Sequence, residues 1–121
     1  MFLKQIFDTD SSTYSYILAS NKGNAIIIDP VTKDLEKYKN IFQELDVTLI
    51  FSVETHTHAD HISASGALNE IYGSKILSSL DKMDSRAHRI QDGEKIELDE
   101  IQIRCLPVSY THLTLPTILL V

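Results

Sequence analysis

A single cysteine, Cys105, is all the sulfur-crosslinking capacity in 121 residues. An internal disulfide is therefore excluded, which suits a reducing compartment such as the cytoplasm. No apolar run approaches the roughly 20 residues that a membrane-spanning helix requires, so a membrane partner is not expected. The opening residues, Met1 to Asp8, are too short and too soon acidic for a secretory signal. Basic residues are scarce: 11 Lys and Arg stand against 17 Asp and Glu, a net charge of −6. That balance offers no basic face to a phosphate backbone, and nucleic acid is not expected as a partner. Internal repeats, linkers and low-complexity segments are absent too. What the chain does have is 43% hydrophobic residues, enough for one core in one domain at most.

The apolar residues fall into a mixed pattern. Residues 2–7, 13–19 and 24–28 read as strands, the last two joined by the turn Ser20-Asn21-Lys22-Gly23. Asp29-Pro30 breaks the third strand. Over 34–45, Leu35, Tyr38, Ile41, Phe42 and Leu45 recur at helical spacing, with Thr32 or Asp34 as the N-cap. That stripe is read as core. Residues 47–53 form a strand rich in β-branched and aromatic residues, ended by Glu54 and Thr55. Residues 62–72 have near-helical spacing and stop at Gly73. Residues 75–78 are a short strand, 81–88 read equally as helix or loop, and 94–98 with 101–106 form a hairpin through Asp99-Glu100. A strand–helix–strand unit with strands on both sides predicts an α/β sandwich.

One stretch stands out from this background. His56-Thr57-His58-Ala59-Asp60-His61 packs three of the five histidines and a carboxylate into six positions. A turn gains nothing from such density, whereas imidazole and carboxylate are ordinary ligands of zinc and iron. In extended backbone, residues two apart point the same way, so His56 and His58 can converge on one ion. Asp60 and His61 could face a second position, roughly 3.5–4 Å away if the site is dinuclear. The stretch lies between the strand at 47–53 and the helix at 62–72, where open α/β sheets place their sites.

Thr55 to His61 resembles the His-x-His-x-Asp-His signature of the metallo-β-lactamase fold superfamily. The longer run from Glu54 to Gly66 is similar to the persulfide dioxygenase branch, whose relatives include glyoxalase II. Phe7-Asp8 with the segment from Ser11 to Leu18, and the strand and turn from Ala25 to Val31, resemble that branch's opening elements. The likeness extends over residues 2–107. It implies an α/β fold, the N-terminal and incomplete part of an αββα sandwich. It also implies a metal site with His56, His58, Asp60 and His61 as candidate ligands and Asp60 as candidate catalytic residue. Asp29 would support the histidine loop from behind, or serve only as an Asp-Pro turn.

The resemblance implies that the intact enzyme oxidises glutathione persulfide to sulfite with dioxygen. One Fe(II) would be held through His56 together with a histidine and an aspartate from outside this chain, leaving open positions for the reactants. His58, Asp60 and His61 would then orient and hydrogen-bond around it. The alternative is a glyoxalase II-like hydrolase of glutathione thioesters. His56 and His58 would then hold one of two zinc-type ions, and Asp60 and His61 the other. Either way the partner is a glutathione-linked small molecule, and a homodimer is compatible with both. A third reading takes the 121 residues as a non-catalytic fragment, inactive alone, self-associating through exposed sheet surface and binding metal weakly.

The final residues depart from this likeness. The strand ending Cys105-Leu106-Pro107 resembles one that leads, in the superfamily, into a Pro-Gly-His-Thr loop carrying a further ligand. Here Val108-Ser109-Tyr110-Thr111-His112 follows instead, and no Gly precedes His112 to make the tight turn. Ser109 to Thr117 match one reading frame of a transposon-type sequencing adapter, tcttatacacatctgacgctgccgacg. The expectation is a native portion at 1–107 and an artefactual tail at 108–121, with His112 carrying no role. His88, beside Arg86 and Arg89, reads as a surface histidine, and Cys105 as a small buried hydrophobe.

Overall fold

The computed structural model describes residues 1–9, 13–55, 64–78, 87–90, 94–104 and 118–120. Strands β1 (Phe2–Asp8), β2 (Thr13–Ala19) and β3 (Asn24–Ile28) form an antiparallel meander. The chain then crosses over through a short 3-10 turn, Thr32–Asp34, and helix α1, Leu35–Leu45. It returns as β4 (Thr48–Glu54), parallel to β3. Helix α2 (Ala64–Tyr72) follows, and β5 (Lys75–Ser78) lies parallel to β4. Strand β6 (Ala87–Arg89), parallel to β5, completes a six-stranded sheet in the order β1-β2-β3-β4-β5-β6. A second sheet contains β7 (Lys95–Leu98), β8 (Ile101–Arg104) and β9 (Ile118–Leu120), all antiparallel.

The first sheet is apolar on both faces, which explains the unbroken run Ala25-Ile26-Ile27-Ile28. Ala25 and Ile27 face the helices and pack with Ile6, Ile17, Tyr38, Phe42, Leu49 and Leu68. Ile26 and Ile28 face the second sheet and pack with Tyr16, Leu18, Val53, Leu77, Ile96, Ile101 and Ile103. Helices, sheet and sheet therefore stack as three layers, an α/β arrangement as the sequence predicted. Exposed apolar side chains gather on β1 and β2, where Phe2, Leu3, Phe7 and Tyr14 meet solvent and the Phe7 and Tyr14 rings lie 4.7 Å apart.

Several boundaries differ from those read in the sequence. Glu54 belongs to β4 rather than ending it, because its backbone pairs with Ser78. The α-helix starts at Leu35; Thr32 lies in the 3-10 turn, and Asp34 holds the N-cap position without a side-chain cap bond. The ambiguous stretch 81–88 ends in β6, with 81–86 outside the described residues. Helix α1 stops at Asp46, whose left-handed backbone (φ 54°) lets Val47 N–H bond the Phe42 carbonyl at 3.0 Å. Gly73 ends α2 in the same conformation, φ 71°, with its N–H on the Asn69 carbonyl.

Strand β4 also contains an irregularity. Ala25 pairs with Leu49 but Ile26 pairs with Phe51, so Ile50 is an extra residue, a β-bulge. The bulge reverses the side-chain phase of the strand. Leu49 faces the helices, whereas Phe51 and Val53 face the second sheet. Ser52 and Glu54 are consequently turned toward the helix layer.

Candidate metal centre at the carboxyl end of β4

Parallel strands β3, β4 and β5 end side by side, and their carboxyl ends carry a group of buried polar residues: Asp29, Glu54 and Ser78. Asp29 follows β3 directly and has φ 53°, a left-handed conformation that Asp tolerates better than most residues. Its N–H bonds the Val53 carbonyl at 2.8 Å, which ties it to the last turn of pleat in β4. Its carboxylate then takes two bonds from Thr55. The Thr55 N–H donates to Oδ1 at 2.7 Å, and the Thr55 hydroxyl donates to Oδ2.

A second set of bonds holds Asp29 itself. Ser15 Oγ donates to the Asp29 carbonyl at 2.7 Å and lies 3.0 Å from the Tyr38 hydroxyl. Tyr38 Oη also accepts the Val31 N–H at 2.9 Å. Both flanks of Asp29-Pro30 are thus bound to side chains from β2 and α1. Burial pushes the Tyr38 hydroxyl above the ordinary tyrosine value of 10.0, although its bonds to Ser15 and Val31 work in the opposite direction.

Glu54 is fully buried on the helix side of β4 and accepts a 2.6 Å hydrogen bond from Ser65 Oγ, near the start of α2. Reading the sequence missed this pair. The signal was present as a carboxylate continuing an otherwise apolar strand, but its partner eleven residues on was not legible.

His56, His58, Asp60 and His61 lie outside the described residues, as do Cys105 and His112. Among the described residues no three His, Cys, Asp or Glu side chains converge as a metal site. His88 is exposed on β6. What the structure establishes is the frame. The segment from His56 to Ser63 leaves β4 at Thr55, bound by Asp29, and enters α2 at Ala64, next to Ser65, bound by Glu54. Its donor set, three imidazoles and a carboxylate, fits a borderline transition metal such as zinc or ferrous iron.

An α/β sandwich with a histidine-rich segment at the rim of its parallel strands defines a class of metal-dependent folds, and comparison with known proteins identifies it. The sequence model of the metallo-beta-lactamase superfamily matches residues 8–117, and the chain belongs to that superfamily. The chain is 34% identical to a persulfide dioxygenase, mitochondrial ETHE1 of Bos taurus, over 100 residues, 80% of this chain and 39% of that protein. It is 32% identical over 102 residues to the probable polyketide biosynthesis zinc-dependent hydrolase BaeB of Bacillus velezensis, covering 78% of this chain and 45% of the relative. In structure it is similar to ETHE1 from Myxococcus xanthus, with TM-score 0.79 and 32% identity over 86% of this chain and 47% of the other. The chain thus spans less than half the length of these relatives. No helix among the described residues is long and apolar enough to cross a membrane.

Proposed function

We propose that the chain carries the first part of the metal site of a persulfide dioxygenase. The observation that carries this reading is the 34% identity to the bovine enzyme over 80% of the chain, a share too large to avoid the central segment holding His56 to His61. The reaction assigned is oxidation of the outer sulfur of glutathione persulfide. One persulfide, one dioxygen and one water give sulfite, glutathione and protons, with the sulfur oxidised and dioxygen reduced. Fe(II) would supply redox chemistry and open coordination positions. On this reading His56 is its ligand from this chain, while His58, Asp60 and His61 orient and hydrogen-bond groups around it. Asp29, through Thr55, sets where the segment begins.

A second reading is kept because of the 32% identity to a zinc-dependent hydrolase. There His56 and His58 hold one zinc-type ion and Asp60 and His61 a second, for hydrolysis of a glutathione thioester. We also propose placement in the cytoplasm, from the lone Cys105, and an artefactual origin for residues 108–121. Strand β9, which pairs Ile118 with Ile103, belongs to that final stretch.

Metal analysis of the intact protein, which would hold the remaining ligands, paired with two assays tests the reading. One iron per chain with sulfite formed only when both persulfide and dioxygen are present supports the dioxygenase. Two zinc-type ions with thioester cleavage give the hydrolase instead, and neither activity with neither metal overturns both.

A further inference from the structure

The Asp29–Thr55 bonds fix only the N-terminal end of the histidine segment. Those bonds leave Ala64, on the other side of the segment, to be placed by other contacts, and ligand geometry tolerates little misplacement. The far end requires its own anchor, and the structure contains one.

Glu54 carries the features of such an anchor. It has no solvent exposure, and a buried carboxylate is costly unless it is bonded. For stability alone an apolar residue would serve better at this place in β4, between Val53 and a helix layer. The side chain faces that layer because the extra residue Ile50 reverses the phase of the strand. Without the bulge, Glu54 would point toward the second sheet. Bulges beside functional sites commonly re-aim one side chain in this way. Re-aimed, its Oε1 takes the Ser65 hydroxyl at 2.6 Å, a short charge-assisted bond. Ser65 is also buried, and it is the second residue of α2. Residues 54 and 65 bracket the donors at 56, 58, 60 and 61 from both sides.

We propose that Glu54 is a positioning residue: by holding Ser65 at the start of α2, its carboxylate fixes the separation of Thr55 and Ala64, the residues on either side of the histidine segment. The inference rests on the metal-site reading above and names a residue that reading does not use. Glu54 does not bind the metal. It sets how far Thr55 lies from Ala64, and with that the span open to the segment that carries His56.

The test uses the 121-residue chain and the variants Ser65→Ala, Glu54→Gln, Glu54→Ala and Glu54→Ala/Ser65→Ala. Amide hydrogen exchange is followed across residues 55–64, and Co(II) alone is titrated with its visible spectrum as readout. Ser65→Ala is expected to raise exchange in 55–64 at least tenfold while β2 and β3 stay protected. Its Co(II) affinity is expected to fall about tenfold to a hundredfold, the range for residues that orient ligands. The double variant should lose no more than Glu54→Ala, and Glu54→Gln, which keeps an acceptor oxygen, should recover most of the affinity. Unchanged exchange in 55–64 on Ser65→Ala overturns the proposal, as does a melting-temperature loss accompanied by an unaltered Co(II) spectrum and affinity. Exchange that responds in a chain taking up no Co(II) supports the clasp and removes the metal reading instead. Should Glu54→Ala fail to fold, Ser65→Ala and Glu54→Gln decide the question.

Discussion

Replacing Asp29 separates its two duties, since the residue both accepts two bonds from Thr55 and occupies left-handed backbone at φ 53°. Hydrogen bonds to a charged acceptor are worth about 1.5–3 kcal/mol each where water cannot replace them. Thr55 is half-buried, so solvent recovers part of that, and about 2 kcal/mol for the pair is the working figure. Ala at a left-handed position adds roughly 1 kcal/mol. Asp29→Ala should therefore cost about 3 kcal/mol. Asn tolerates the same backbone and keeps one acceptor oxygen, so Asp29→Asn should cost only about 1 kcal/mol. The assay is urea unfolding. At a slope of roughly 1.5 kcal/mol/M, the Ala midpoint should fall by about 2 M and the Asn midpoint by less than half of that. Thr55→Val, which removes the hydroxyl alone, should be non-additive with Asp29→Ala. Ala and Asn variants of equal stability, or full additivity with Thr55→Val, would refute the clasp.

Two further outcomes follow from bonds elsewhere. Asp99, at the tip of the β7–β8 hairpin, accepts Ser20 Oγ at 2.6 Å and Asn24 Nδ2 at 2.9 Å, and those bonds hold its carboxyl below the ordinary 3.8. A depressed value means stability that is present above the unfolded value and lost as pH falls through the folded one. Asp99→Asn should thus be less stable than the parent at neutral pH, with the gap closing below about pH 3.8 in thermal melts; a gap constant with pH contradicts this. Tyr38→Phe removes the acceptor for Val31 N–H and the contact with Ser15, and should lower stability by about 1–3 kcal/mol in urea unfolding. It should also remove the part of the alkaline destabilisation that begins near pH 10, because the buried phenol resists ionisation more in the folded state. A variant as stable as the parent would show that the network around Asp29 has solvent in its place.

Local chemistry made most of the fold legible. Strands at 13–19 and 24–28 announced themselves through β-branched runs, and Gly23 and Gly73 marked turns where the backbone has φ 84° and 71°. The stripe of Tyr38 and Phe42 is core, as its spacing indicated. Non-local features escaped. The bulge at Ile50 was not legible, because it falls within the apolar run Leu49-Ile50-Phe51, whose pattern a phase reversal does not alter. Strand β6 exists through pairing with β5, so residues 87–89, with two exposed positions, carry little strand signal of their own. The start of α1 shifted to Leu35 because Thr32–Asp34 adopts a tighter turn, whose hydrogen bonding no spacing rule distinguishes from a first helical turn. At the candidate site the donors were conspicuous as residue types. The groups that hold their loop, Thr55 on Asp29 and Ser65 on Glu54, depend on contacts 26 and 11 residues apart.

Co(II) titration of the 121-residue chain beside a His56→Ala/His58→Ala variant most directly tests whether the segment after β4 is a metal site. Saturable binding by the parent, with the visible bands of nitrogen and oxygen ligation, and loss of both in the variant is the predicted result. A parent that takes up no Co(II), or a variant that retains the same affinity and spectrum, would contradict it.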